Sequence, residues 1–420
     1  MSSLLLAALL AAPRTLTLDD ALTLAHQNPQ LAQAQAAVTQ ASGQVGVARS
    51  GFLPTASASA SYLAATSNFA PQPSLGRPNT PSQAANDTLY PFYNATAITI
   101  TQPIWDFGRT LGSYQSSRDA EASAKASVTA TWQTVELQVS TTYYGVLAAE
   151  ALVDVALQTV ASDEKKLELA KGQYEVGQRP RFDVTQALVD LESARITLIQ
   201  TKNAVAVSRI NLSQAVGRDV SDATLVAPAP SRDADPDVGP MLQLAMKNRP
   251  DLKADELLIL SQDEALDSAK SAFWPILSAN GALGWKGSDL PLVHNWQVGV
   301  GLTWPFLNGG ADLGRVETQR GVLDQAKATR DLLVLQIRAD VEQGVTSVVE
   351  ARARRAAART LVVQAKENLE LAEGRYQSGL GTIIDLSVAQ TAYTNAQAQE
   401  VKAVYDVATA WAQLKRASGS

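Results

Sequence analysis

Four stretches of the chain alternate apolar residues with polar or small ones, which is the pattern of a β-strand with one apolar face. The alternation predicts strands at 54–66, 92–104, 275–287 and 294–305. It is clearest in the last stretch, where the apolar positions are Val298, Val300, Leu302 and Trp304. Runs of about ten residues are long enough for a tilted strand to cross a bilayer.

Two much longer segments have apolar residues spaced by three and four, which predicts long helices with coiled-coil seams. No proline interrupts the segment from Gly108 to about Gly172, and about 65 helical residues would extend roughly 100 Å. The first seam contains Val128, Trp132, Val135, Val139, Thr142, Val146, Ala149 and Val153. The second contains Val334, Ile337, Val341, Val345 and Val348.

The order of these elements occurs twice, which indicates an internal duplication. The sequence Phe52-Leu-Pro54 returns as Phe273-Trp-Pro275, and the later landmarks are 202 positions apart, as in 376 − 174. We therefore predict repeats at 16–217 and 241–419, each with a helix, two strands, a long helix and a return helix. The stretch 218–240 contains four prolines and is predicted to connect the repeats.

Residues 1–12 are predicted to be the remnant of a signal peptide, because 4–12 contains only Leu and Ala. No basic residue precedes this run. A frayed apolar end of the first helix is the alternative.

Tryptophan is concentrated at the ends of the predicted strands. Five of the seven tryptophans lie there: Trp105, Trp274, Trp285, Trp296 and Trp304. Two aromatic girdles of this kind are typical of a membrane β-barrel, although an aromatic core in a soluble sandwich remains an alternative. Four strands cannot close a barrel, and open edges do not occur in lipid, so several chains must combine. Three chains would supply twelve strands.

Matching turns are predicted where each long helix meets its return helix. The first contains Tyr174, Gly177 and Asp183, and the second contains Tyr376, Gly379, Leu380 and Asp385. Glycine permits the left-handed conformation that ends a helix, and an aspartate in the first turn suits the positive end of the next helix dipole. Capping alone would account for these residues.

Composition excludes several classes of function. The formal net charge is −6, which argues against nucleic-acid binding. Cysteine is absent and histidine occurs only at His26 and His294, so thiol chemistry and histidine-rich metal sites are not expected. We find no combination of residues that predicts catalysis, a bound metal or a cofactor.

The chain resembles the TolC-like outer-membrane efflux family. The resemblance covers about 20–420 and rests on Asn248-Arg-Pro-Asp-Leu252, on Pro54 and Pro275, on Thr303-Trp-Pro305-Phe-Leu-Asn-Gly-Gly310 and on the two tips. It implies a mainly α fold with a membrane β-barrel, in which a homotrimer builds a twelve-stranded barrel in outer-membrane lipid and a long periplasmic helical barrel.

The resemblance also implies partners and roles for residues. Tips containing Tyr174, Gly177, Tyr376, Gly379 and Leu380 would contact a periplasmic adaptor that joins an inner-membrane pump. Asp385 and Asp183 would be candidates for an acidic periplasmic constriction. Family members carry an arginine where Gly381 stands and an aspartate where Val388 stands, so this constriction is expected to be weaker or built differently.

The expected function is therefore a passive exit duct of an efflux or secretion system. A soluble periplasmic coiled-coil scaffold or adaptor is the alternative, because it would explain the helices but not the strands. The cargo, whether drug, metal ion or protein, is not predicted.

Overall fold

The computed structural model describes residues 15–66, 89–227, 235–287 and 290–420. The predicted signal segment at 1–12 lies outside them. The described elements are, in chain order, β1 (Thr15–Leu16), α1 (Leu18–Ala25), α2 (Pro29–Ser50), β2 (Thr55–Thr66), β3 (Leu89–Trp105), α3 (Arg109–Glu175), α4 (Arg181–Val216), β4 (Thr224–Leu225), α5 (Val238–Asn248), α6 (Pro250–Lys270), β5 (Ile276–Gly287), β6 (Val293–Thr303), α7 (Ala311–Gln377) and α8 (Ile383–Ala417). The prediction of a mainly α chain with four long strands is confirmed.

The chain divides into two compact units. The first unit, called the helical unit here, contains Met1–Ala37, Ala124–Ala254 and Arg330–Ser420. The second, called the strand unit, contains Val38–Ser123 and Asp255–Thr329. The elements of each unit come from both halves of the sequence, as a duplicated chain requires.

The strand unit contains one antiparallel sheet in the order β2-β3-β5-β6. The central pair, β3 and β5, joins the two repeats, with Ile100 opposite Gly281. β2 and β6 are the edges and have no strand partner on their outer sides within the described chain. A sheet with two open edges offers both to a neighbouring strand.

The helical unit is built around the predicted seams. α3 and α7 have 67 residues each, close to the predicted length. Val135, Val139 and Val146 on α3 are fully buried, as are Ile337 and Val341 on α7. Tyr143 lies among the α3 residues, and its hydroxyl is 2.8 Å from the Leu16 carbonyl oxygen and 2.7 Å from that of Val226. It thereby secures the short β1–β4 pair.

The structure differs from the prediction at the start of each repeat, where one helix was expected and two occur. α1 ends before Pro29, and α5 ends before Pro250. Arg249 leaves the helical conformation, with ψ at 119°, because the ring of a following proline disfavours helix in the residue before it. The connector between the repeats is also shorter than the predicted 218–240, since α5 begins at Val238. Pro240 fits its first turn, where a proline loses no helical hydrogen bond.

Both return helices end on a glycine that packs against the start of its own repeat. Gly217 and Gly419 have φ of 78° and 71°. A Cβ on Gly217 would lie 2.9 Å from the Asn28 Cα, and one on Gly419 would lie 2.9 Å from the Arg249 nitrogen. Any side chain would therefore clash, and glycine is required at both positions for conformation and for space.

By length and composition, α3 could also cross a membrane, since it has a window with a mean hydropathy of 1.4. Its stretch of low charge between Lys125 and Glu150 contains one charged residue, Glu136. That stretch supplies the buried residues Val135, Val139, Tyr143 and Val146 to the main core of the helical unit. Only 28% of the apolar window is buried, so the core accounts for part of its apolar character and the rest of the window is left uncovered by the described chain.

Candidate functional site: an apolar strand face and two linked hairpin tips

One face of the sheet is apolar and exposed. On β6, Val298, Val300 and Leu302 are 78%, 67% and 65% exposed. Ile98 and Ile100 on β3 are also exposed, and Ile98 lies opposite Leu283 of β5. Side chains of this kind exposed across neighbouring strands form a patch that water disfavours, which marks a contact with lipid or protein.

The opposite face of the same strands is polar or small. β6 contributes Gln297, Gly299, Gly301 and Thr303 to it, and Asn280 of β5 lies opposite Gly299. Because a strand directs successive side chains to opposite sides, the sheet separates an apolar surface from a polar one. That division is typical of a barrel with lipid outside and water inside.

Aromatic rings collect at both ends of the apolar face. At the end nearer the helices, the Phe107 ring lies between Trp105 and Trp274, with centroids 6.0 and 5.2 Å away. Trp304 pairs with Phe306 and donates a hydrogen bond to the Phe273 carbonyl at 3.0 Å.

At the other end of the strands, the Trp285 ring lies 5.7 Å from that of His294, and Trp296 is 72% exposed. From Trp296 to Trp304 the chain extends roughly 27 Å, which at a strand tilt of about 40° gives roughly 20 Å of height, comparable with the apolar band of about 25 Å in outer-membrane barrels. The five predicted girdle tryptophans therefore lie in two groups, and their membrane role stays a prediction.

Phe107 was not predicted as a site residue. Its φ is 56°, a left-handed conformation that is unfavourable for a side chain with a Cβ. The position equivalent to Phe107 in the second repeat is Gly309, also left-handed with a φ of 68°. The signal was present in the sequence, because a phenylalanine stands where the other repeat needs glycine.

In the helical unit, α3 with α4 and α7 with α8 form two helical hairpins, and the turns at their tips are joined by a buried hydrogen bond. The Tyr376 side chain is fully buried, and its hydroxyl donates to Asp183 Oδ2 at 3.0 Å. Asp183 is 5% exposed and comes from the other tip. Burial, with the hydrogen bond to Asp183 and its charge, raises the pKa of Tyr376 to about 12. The tyrosine therefore remains a neutral donor at physiological pH.

Arg179 makes a second link between the tips. Its guanidinium donates to the carbonyl oxygens of Tyr376 and Gly381 at 2.9 and 3.0 Å. The Cζ atom of the guanidinium also lies 4.6 Å from the centre of the Tyr376 ring, within the range of a cation–π contact. Arg179 is thus a tip residue that was not predicted from the sequence.

The arginine that links the tips belongs to the first tip, and glycine stands at the equivalent position of the second. Arg179 stands five positions after Tyr174, as Gly381 stands five positions after Tyr376. A Cβ at Gly381 would lie 3.2 Å from backbone atoms of Arg375 and Tyr376, closer than ordinary contact. A side chain there would require the neighbouring backbone to shift by a few tenths of an ångström, and in this chain the guanidinium of Arg179 reaches the same backbone from the first tip.

The remaining predicted tip residues are on the surface. Tyr174 is 45% exposed and Leu380 is 77% exposed, and the turn glycines Gly177 and Gly379 have φ of 74° and 81°. The structure places Tyr376 inside the tip, so its side chain is not available to an adaptor in this conformation. The other four residues remain candidates for such a contact.

The two aspartates predicted for a constriction occupy different environments. Asp385 is exposed, and its carboxylate accepts hydrogen bonds from the Thr382 nitrogen and hydroxyl at 3.1 and 2.8 Å. The Thr382 hydroxyl bond is the main reason that the pKa of Asp385 is lowered. Asp183 is buried against Tyr376 instead. A ring of both aspartates would need Asp183 to leave Tyr376.

Exposed apolar residues also follow the two helices α4 and α7 of the helical unit. On α4 they are Val189, Ile196, Ile199, Val207 and Ile210, and on α7 they are Leu332, Leu335, Leu361, Val363 and Leu371. The α4 residues recur at steps of seven, three, eight and three positions, so they form a continuous row along one face, whereas on α7 a gap of 26 positions separates Leu335 from Leu361. Together with the two sheet edges, the row on α4 leaves a single chain incomplete.

Comparison with known proteins agrees with these features. The sequence matches the family described as outer membrane efflux protein over residues 22–218 and 241–420. It is similar to the probable efflux pump outer membrane protein TtgC of Pseudomonas putida, with 25% identity over 75% of this chain and 66% of the relative's length, just under two thirds.

Protein CyaE of Bordetella pertussis is 23% identical over 95% of this chain and 82% of its own length. The fold is similar to that of the Campylobacter jejuni CmeC outer membrane channel, with a TM-score of 0.83, 20% identity, and coverage of 96% of this chain and 85% of that one. The family match covers nearly all of both repeats, so the chain belongs to the outer membrane efflux protein family.

Proposed function

We propose that three copies of this chain form an outer-membrane channel, the exit duct of a tripartite efflux or secretion system. Its partners would be a periplasmic adaptor and an inner-membrane pump, and the duct itself would be passive. The observation that carries the proposal is the four-stranded sheet with two open edges and an exposed apolar face. In lipid, both edges must be paired, and β6 of one copy can pair antiparallel with β2 of the next.

The helical unit also offers surfaces to neighbouring copies. The exposed apolar residues of α4 and those of α7 are on opposite hairpins, so each copy can contact one neighbour through α4 and the other through α7. Cyclic contacts of this head-to-tail kind close into a ring when the rotation permits it. Three copies give twelve strands, above the practical minimum of about eight for a membrane barrel.

The tips supply the closed state of the duct. Tyr376, Asp183 and Arg179 hold the two hairpins of one chain together at their ends. Opening would separate these groups as the hairpins shift between two packed arrangements. The exposed tip residues Tyr174, Gly177, Gly379 and Leu380 are the surface that we assign to the adaptor.

The test compares one substitution on each face of β6. Val300→Lys places a charge on the lipid side, where it costs about 2–4 kcal/mol near the midplane, while Gln297→Lys places it on the polar side. After outer-membrane extraction in detergent, the wild type and Gln297→Lys should run as trimers that conduct ions in planar bilayers, and Val300→Lys should not assemble. Equal behaviour of the two variants, or a wild type recovered without detergent, would support a soluble scaffold instead.

A further inference from the structure

A buried charge cluster joins the two hairpins above the tips, and the proposed duct does not use it. It contains Asp163 and Lys166 of α3, Asp190 of α4 and Ser387 of α8. Lys166 Nζ lies 2.7 Å from Asp163 Oδ1 and 2.8 Å from Asp190 Oδ2. One lysine therefore serves two carboxylates, and the cluster has one negative charge in excess.

The two carboxylates are not equally supported. Asp190 accepts hydrogen bonds from Lys166, Ser387 and Gln186. Asp163 Oδ1 has only the ion contact with Lys166 and no aligned hydrogen bond within the described chain. The Asp163 side chain is also the more deeply buried, at 6% exposure against 19% for Asp190. The excess charge therefore falls on Asp163.

The surroundings give Asp163 no other compensation. It adjoins a cavity of about 310 Å³ whose other lining is mainly Ser, Thr, Asn, Gln and Ala. The charged residues that line this cavity are the three of the cluster, one of them on α4 and none on α8. Asp163 lies in the interior of α3, far from either end, so the helix dipole gives no local support.

We propose that Asp163 is a proton-binding site, protonated while α8 is packed against α3 and α4 and ionised when α8 separates from them. A proton neutralises the cluster without needing space. A metal cation would have to enter beside the ammonium of Lys166, which repels it. The direction of the shifts agrees: burial raises the pKa of Asp163, with Asp190 adding to the effect and Lys166 offsetting part of it. Burial alone would raise the pKa of Asp190, but its hydrogen bonds and Lys166 lower it.

The interface around the cluster can admit water. Between the hairpins, Ser162 donates to Gln390 Oε1 at 3.1 Å, and the hydroxyls of Thr159 and Thr394 are 3.1 Å apart. Within each hairpin, by contrast, the helices also share buried apolar clusters: Leu369, Ile383 and Leu386 in one, and Leu167 and Leu191 in the other. A polar contact exchanges its partners for water more readily than an apolar one, so the hairpins would part here.

The linkage between the proton and the packing has a definite sign. The packed state binds the proton more tightly than the separated state, where Asp163 returns to its ordinary value of 3.8. Packing is therefore strongest below pH 3.8 and weakens as the pH rises from there to the raised pKa, by up to about tenfold per pH unit. Above the raised pKa it no longer depends on this group. If the proposed duct opens by parting the hairpins, acid favours the closed state.

The first test is infrared spectroscopy of the full-length protein between pH 4 and 8, with Asp163→Asn as the variant. The wild type should keep a protonated-carboxyl band to higher pH than an ordinary aspartate, and Asp163→Asn should lose it. Asp154→Asn, an exposed position on the same helix, is the matched control and should keep the band. Identical spectra of the wild type and Asp163→Asn would overturn the proposal.

The second test is hydrogen exchange of segments 159–166 and 387–394, expressed as the ratio of wild type to Asp163→Asn at each pH. This ratio cancels the intrinsic effect of pH on exchange, and it should change up to tenfold per pH unit. A ratio that stays constant with pH would contradict the linkage. So would a ratio that changes when choline replaces sodium or potassium in the buffer, because a metal cation would then be the ligand. No readout uses conduction, so a failure of the duct proposal is detected separately.

Discussion

The two hairpin tips occupy equivalent places in a duplicated chain, yet their residues have different roles. Tyr174 is half exposed while Tyr376 is fully buried. Asp385 completes a capping box with Thr382, the N-cap residue of α8, whereas α4 begins at Pro180 without a side-chain cap and its Asp183 accepts a hydrogen bond from Tyr376. The first tip thus supplies the acceptor and the guanidinium, and the second supplies the tyrosine.

The difference between the tips shows how a duplicated chain can acquire a contact between its two repeats. Two identical tips would each satisfy their own groups and would have no reason to associate. In the first tip Pro180 stands where the second tip has the capping residue Thr382. The carboxylate of Asp183 therefore has no capping hydroxyl and accepts a hydrogen bond from the other tip. The capped tip can remain locally complete, and the uncapped one depends on its partner.

The largest effect should come from removing the buried ring. Tyr376→Ala creates a cavity and leaves Asp183 unpaired, so the tip should lose about 3–5 kcal/mol. The exposed counterpart Tyr174→Ala should cost well under half of that. Hydrogen exchange of the amides at 176–186 and 378–386 measures both changes. Equal protection in the two variants would mean that the tips are equivalent after all.

A smaller loss is expected from Arg179→Ala, because two hydrogen bonds from a charged donor disappear while the tyrosine stays. We expect the tip to lose about 1–3 kcal/mol of stability. Arg179→Lys should restore only part of it, because an ammonium does not reproduce the planar guanidinium that donates to both carbonyl oxygens. The exposed Arg181→Ala is the control and should be neutral. Single-channel recordings should show a less tightly closed pore for Arg179→Ala. A conductance like that of the wild type would remove Arg179 from the closure.

Tyr376→Phe isolates the hydroxyl and should cost about 1–2 kcal/mol. It also tests the alkaline behaviour of the tip. Since the pKa of Tyr376 is raised to about 12, the neutral hydroxyl stabilises the tip below an ordinary tyrosine pKa of about 10. That contribution is lost as the pH rises from about 10 through 12.

Tyr376→Phe should remove this alkaline transition, and Tyr174→Phe should not. The measurement is tip protection as a function of pH, with both phenylalanine variants recorded in the same buffers. A transition that survives in Tyr376→Phe would assign it to another group.

The smallest effect on packing should follow Asp385→Ala, which removes an exposed cap. Because its pKa is lowered by Thr382, the capping contribution is present above the ordinary value and is lost as the pH falls through the lowered one. We expect fraying of the first turn of α8 without separation of the tips. The same variant tests the constriction role, which requires altered conductance or cation block; a pore with unchanged conduction would leave Asp385 as a cap only.

The local elements could be predicted from the order of residues alone, because their causes are local. Alternation at 297–304 is a property of neighbouring residues, and it gave the apolar and polar faces of β6. The spacing of Val135, Val139 and Val146 defined the seam of α3, and Gly177 and Gly379 marked the turns. The duplication followed from order alone, and it located equivalent positions in the two tips.

How equivalent positions diverge depends on contacts that form only in the folded chain. Asp183 and Asp385 have the same place in the pattern, but which one caps and which one is buried depends on residues 193 and 3 positions away, Tyr376 and Thr382. Arg179 has no local signal, since its partners are carbonyl oxygens of the other tip. The excess charge at Asp163 likewise arises only when α3, α4 and α8 meet. Electrostatics and burial act through space, and the spacing along the chain does not contain them.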